Sequence, residues 1–150
     1  MAKRSTNFQC NQENIGDIEM FIDAKVIKGV GRSFSCSLQQ KDNTGQTFIP
    51  LDLSPFAIRF RVLGSTTADG YVLVEHIITQ FTDPDVDGQI YDPENGEFAF
   101  CINKDDTEIL GIGNRPITIE LLDADTLEYI DTITQGGKNG EFNRIMVIQV

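Results

Sequence analysis

From Glu19 onward, apolar and polar residues alternate with a period of two, the spacing of a half-buried β-strand. Glu19 to Ile27 reads as a first strand. In Arg32 to Gln40, Phe34, Cys36 and Leu38 share one face while Ser33, Ser35 and Ser37 share the other. Phe56 to Leu63 turns Phe56, Ile58, Phe60 and Val62 inward and Arg59 and Arg61 outward. Val72 to Phe81 is rich in the Val, Ile and Thr that strands prefer. Glu97 to Asn103 and Arg115 to Leu122 repeat the alternation, and Leu127 to Thr134 and Arg144 to Val150 complete the set. Only Lys104 to Leu110 is suited to a helical turn. Clusters of Gly, Asp, Asn and Pro separate the runs.

About eight short strands, each with one apolar face, predict an all-β domain: a two-sheet antiparallel β-sandwich in which the sheets bury those faces against each other. Residues 1–17 are polar and read as a flexible N-terminal arm, with residues 18–150 as the sandwich. The architecture is immunoglobulin-like without a cross-core disulfide. Cys36 lies with the inward set of its strand, whereas Cys101, between Phe100 and Ile102, points the opposite way, and there is no Trp to pack on a bridge.

At 150 residues the chain is long enough to bury a core without a disulfide or metal. Three cysteines with no close pair match neither a disulfide framework nor a zinc site, so folding in a reducing cytoplasm is expected. A net charge of -11 with scattered basic residues argues against nucleic acid as a partner. No apolar run is long enough to cross a membrane as a helix, and the first residues lack the apolar stretch of a secretory signal.

Catalytic signatures are sparse. His76 is the only histidine, sits inside a strand and has no strand-turn-helix elbow nearby, so the expectation is a strand histidine, exposed or satisfied by a neighbour. Gly111-Ile112-Gly113-Asn114-Arg115 fits neither phosphate-loop spacing and reads as a turn, as does Gly136-Gly137-Lys138-Asn139-Gly140. Nothing singles out Asp105 and Asp106 as an acid–base pair. The expectation is a protein that is not an enzyme and requires no cofactor.

One segment matches a metal motif. Asp83, Asp85, Asp87 and Glu94 stand at the spacing of an EF-hand Ca2+ loop, with Gly88 where such a loop turns sharply. The flanks are strand-like, and Pro84 and Pro93 stiffen the segment. The 83–94 loop therefore reads either as an acidic inter-strand turn or as a Ca2+ site outside the EF-hand frame.

Several short motifs occur in a telling order: Asp42-Asn43-Thr44-Gly45, Pro50-Leu51-Asp52-Leu53-Ser54, Ile58-Arg59-Phe60-Arg61-Val62, Asn95-Gly96-Glu97-Phe98-Ala99-Phe100-Cys101-Ile102, Asp106-Thr107 with Leu110-Gly111, and Pro116-Ile117-Thr118-Ile119-Glu120-Leu121. Their order resembles the Ig-like β-sandwich proteins of tailed-bacteriophage virions, found in capsid decoration and head-fibre proteins and at the N-terminus of neck or baseplate adaptors. The likeness spans roughly residues 20–150. Adaptor proteins continue beyond this domain, whereas the sequence here stops at the last strand, so the resemblance implies a stand-alone accessory subunit. It implies no catalytic residues. It implies a structural protein located in the virion after synthesis in the host bacterial cytoplasm, with capsid, portal, neck or tail subunits as partners, in many symmetric copies. The arm offers Lys3 and Arg4 as charged contacts and Phe8 and Ile15 as apolar anchors, and exposed strand edges offer a second device. The alternative is a calcium-dependent adhesion or carbohydrate-binding module, which the absence of Trp and the presence of only three Tyr disfavour.

Overall fold

In a computed structural model, residues 7–9, 23–64, 71–134 and 143–149 are described. Twelve strands occur among them: β1 (Asn7–Gln9), β2 (Asp23–Ile27), β3 (Arg32–Ser37), β4 (Gln39–Lys41), β5 (Phe48–Pro50), β6 (Phe56–Leu63), β7 (Val72–Ile78), β8 (Gly88–Asp92), β9 (Glu97–Ile102), β10 (Gly113–Asp123), β11 (Tyr129–Thr132) and β12 (Arg144–Ile148). A single-turn 3-10 helix covers Pro93–Asn95, and α1 covers Lys104–Leu110. The smaller sheet runs β1-β3-β9-β8. The larger runs β2-β12-β10-β6-β7, with β11 also on β10, and β4 and β5 form a separate ribbon.

The all-β sandwich expected from the alternation is present. Its pairings are antiparallel except β1 on β3 and β2 on β12, which are parallel. Strand β6 matches its expected span, α1 matches the one segment suited to a helical turn, and the outward turn of Arg59 and Arg61 holds. Four strands were not anticipated, and the first, β1, falls within the segment read as a flexible arm and pairs with β3. The run Arg32 to Gln40 breaks at Leu38, so its end becomes β4 and pairs with β5. Strand β8 lies inside the segment read as one acidic loop, where buried Gly88 and Ile90 alternate with half-buried Gln89.

Core packing follows the alternation. The rings of Phe34, Phe100 and Phe60 stack in series, with centroids 5.1 and 4.5 Å apart, and join the two sheets. Phe98, Ile58, Ile119 and Val147 fill the same layer. Truncating one such fully buried ring costs about 3–5 kcal/mol in comparable cores. Cys36 pairs with Phe98 and Cys101 with Ser33, on opposite faces of the smaller sheet, so the two cysteines do not bridge. The outer face of the larger sheet is ionic. Arg59 Nε meets Glu120 at 2.6 Å, and Arg61 Nε meets Glu75 at 3.0 Å. The more exposed Arg61–Glu75 pair contributes little to stability.

Of the arm residues singled out in the sequence, Phe8 lies on β1, level with Cys36 of β3. Lys3, Arg4 and Ile15 lie outside the described residues. No helix among the described residues is long and apolar enough to cross a membrane.

A cleft pinned by the only histidine

Strand β7 is an edge strand of the larger sheet, and its inward positions are Val74, His76 and Ile78. The alternation that buries the two aliphatic residues also buries His76, which is 8% exposed. A titratable ring in that position needs partners, because an unpaired buried polar group costs stability. Two aspartates supply them. His76 Nδ1 lies 2.7 Å from Asp87 Oδ1, and Nε2 lies 2.8 Å from Asp106 Oδ2. The Phe60 ring lies parallel to the imidazole, 6.5 Å away between centroids.

Each partner belongs to a different element. Asp87 ends the loop between β7 and β8. Asp106 stands in the first turn of α1 and closes its capping box. Its Oδ2 accepts the Asn103 N–H at 2.9 Å, while Asn103 Oδ1 accepts the Asp106 N–H at 2.9 Å. One carboxylate oxygen thus serves both the helix cap and the histidine. A carboxylate only accepts, so both ring nitrogens are satisfied only when both carry protons. Burial alone works to lower the His76 pKa. The hydrogen bonds and charges of Asp106 and Asp87 outweigh it, and the net direction is upward.

Other bonds tie the β7–β8 loop to the body. Asn103 Nδ2 donates to the Val86 carbonyl at 3.1 Å, and the Cys101 N–H donates to the Asp87 carbonyl at 3.2 Å. Cys101 Sγ reaches the Asp85 carbonyl at 3.4 Å, which helps explain why an outward-facing cysteine is fully buried. Thr82 Oγ1 donates to the Gly88 carbonyl at 2.7 Å. Gly88 is required where the loop enters β8. Its φ is +107°, and a Cβ there would strike the Ala99 carbonyl on β9.

Between this loop and the start of α1 lies a cleft of about 500 Å³, lined by Gly31, Asp85, Val86, Asn103, Lys104 and Asp105. Asp87 anchors one wall and Asp106 the other, so His76 pins both from beneath. Both His76 nitrogens are engaged with carboxylates. The arrangement can hold a loop and sense pH.

The four candidate Ca2+ ligands are not brought together. Asp83 Oδ1 accepts the N–H of Asp85 in a local turn, and Asp87 is engaged by His76. Glu94 lies on the 3-10 turn beyond the whole length of β8. An extended strand advances about 3.3 Å per residue, which carries Glu94 away from the aspartates. Among the described residues no group of three or more His, Cys, Asp or Glu is placed to hold a metal ion.

Of the two expectations for His76, exposed or satisfied by a neighbour, the second holds, and the sequence does not say which neighbours. Asp87 and Asp106 are 11 and 30 residues away. The available signal was the position itself, a titratable ring in phase with Val74 and Ile78.

No family model matches the chain. The search of curated proteins likewise gives no match. Twelve chains of solved structures match. One is the N-terminal domain of phage TP901-1 ORF48, at 11% sequence identity and a TM-score of 0.45, covering 98% of this chain and 98% of that one.

Proposed function

We propose that the chain is a non-enzymatic structural subunit of a tailed-phage virion. In this reading it is an accessory piece of the capsid, neck or tail that binds other virion proteins through its N-terminal arm and its sandwich surface. The observation that carries the binding half is the β4–β5 ribbon, on which all three residues of β5, Phe48, Ile49 and Pro50, are exposed. An apolar strand held outside the core offers its side chains to a partner, and aromatic residues, Phe among them, are enriched at protein interfaces. The virion half rests on the order of short motifs from Asp42 to Leu121, which resembles that of virion sandwiches.

Lys3, Arg4, Phe8 and Ile15 are the arm contacts in this reading. Asp83, Asp85 and Asp87 shape the β7–β8 loop, and no cofactor is needed. The chain is made in the host bacterial cytoplasm and resides in the particle.

The test is assembly. A chain lacking residues 2–16 and a full-length F48S/I49S chain are each supplied to particles that lack the protein, and incorporation is read by electron microscopy and gel densitometry. Both variants are expected to fold, by circular dichroism, and to be lost from particles. Incorporation of both at the wild-type level overturns the reading.

A further inference from the structure

Phe81 is 93% exposed, on a loop that is not loose. Its own N–H donates to Thr79 Oγ1 at 3.1 Å, and Gln89 Nε2 donates to the carbonyl of the adjacent Gln80 at 3.0 Å. The same loop exposes Pro84 between Asp83 and Asp85, and Val86 between Asp85 and Asp87. A rigid loop that presents an aromatic ring in an acidic setting matches one kind of surface, an apolar patch with a basic rim. Rigidity matters because ordering a mobile loop on binding would cost part of the interaction energy.

The chain displays such a surface itself. On β2, Ala24 and Val26 face the core, which turns Lys25 and Ile27 outward, opposite Met146 and Ile148 of β12. The following turn, closed by the Val30 N–H on the Ile27 carbonyl, exposes Lys28 and leaves Val30 53% exposed. Ile112, just before β10, is 50% exposed and precedes Gly113, which pairs with Val147. Lys25 and Lys28 rim these aliphatic side chains, and Arg32 Nη1 binds the Lys25 carbonyl at 2.7 Å. Glu108 stands beside the Gly29 turn, so one carboxylate neighbours Lys25 and Lys28 there.

We infer that two copies of this chain associate, with Phe81 and the β7–β8 loop of one seated on the Ile27–Val30–Ile112 face of the other. Complementary charge selects the second copy: in a protein of net charge -11, the acidic loop is repelled by most of its own surface and attracted to this face. Phe81 and the Ile27–Val30–Ile112 face belong to different elements, although Asp85, Val86 and Gly31 line one cleft. A homotypic contact between two acidic loops is thereby disfavoured, and each copy has one donor and one acceptor. This goes beyond the subunit reading and does not depend on it. A chain that self-associates by these faces but enters no particle keeps this inference and loses that one.

The experiment is sedimentation equilibrium on the full chain, with F81A, F81D and K25E/K28E variants, each checked for folding by circular dichroism. Wild type is expected to associate as concentration rises. F81A weakens association by at least about tenfold, and F81D and K25E/K28E are each monomeric alone. An equal mixture of F81D and K25E/K28E forms a one-to-one pair, because one intact loop meets one intact β2 face. A wild type that is monomeric at every concentration overturns the inference. So does F81D association equal to wild type, or a mixture of the two variants that stays monomeric.

Discussion

The β7–β8 loop and the β4–β5 ribbon both hold a phenylalanine out to solvent, yet they are held in opposite ways. The ribbon is local. Three residue pairs form its ladder, Asp42 Oδ1 accepts the N–H and hydroxyl of Thr44 at its tip, and the Lys41 ammonium sits 5.7 Å from the Phe48 ring centroid. The loop is global. Its end is fastened by a buried ring on β7, and that ring is shared with the cap of α1. A ribbon built from neighbours in sequence survives changes elsewhere. A loop built on a buried charge does not, because losing one partner leaves the others desolvated and unpaired.

The largest expected effect is therefore Asp106→Ala. It removes the helix cap and one of the two carboxylates on His76, and should lower unfolding free energy by about 3 kcal/mol or more in urea titrations. Hydrogen exchange should accelerate at residues 85–88 and stay unchanged at residues 39–50. Equal acceleration in both segments would end the contrast.

The next effect is pH dependence. His76 has a raised pKa in the folded chain, so between the ordinary histidine value of 6.5 and that raised value the folded state binds more protons than the unfolded state. Stability then falls as pH rises. The contribution is fully present below 6.5 and is lost as pH climbs through the folded value. Thermal melts of wild type should decline across that window, while those of His76→Gln should lack this decline. Parallel curves for the two proteins would show that the ring does not carry the linkage.

A smaller effect belongs to the ribbon. F48S/I49S changes only exposed side chains and should shift stability by no more than about 0.5 kcal/mol in the same titrations. A larger loss would mean that the ribbon supports the core. The smallest effect is that of calcium. Adding it, or a chelator, should leave the melting temperature unchanged, since Asp87 is engaged by His76 and Glu94 is remote. A rise in melting with calcium would mean that the loop exchanges its histidine for a cation.

How legible each region was from sequence follows the same division. Period-two alternation located β6, β9 and the opposed faces of Cys36 and Cys101, because burial on one side of a sheet writes itself into neighbouring positions. It missed β8, whose alternation covers too few residues to stand out from the surrounding Asp and Pro. The ribbon was hidden by a run that continues its pattern into Leu38 before changing partners. The His76 network was illegible as a network, since long-range pairing leaves no periodic trace. Only the phase of His76 within β7 announced that something charged had to meet it.

Because His76 is the sole histidine, its ring gives a single isolated set of imidazole signals in a proton NMR spectrum. Those signals come from the fastener of the loop itself. One unlabelled sample, titrated alone and then with increasing protein concentration, would follow the protonation of that fastener and any tightening of the loop as copies meet. The chain thus carries its own spectroscopic gauge at the point where its interior charge and its presented surface are joined.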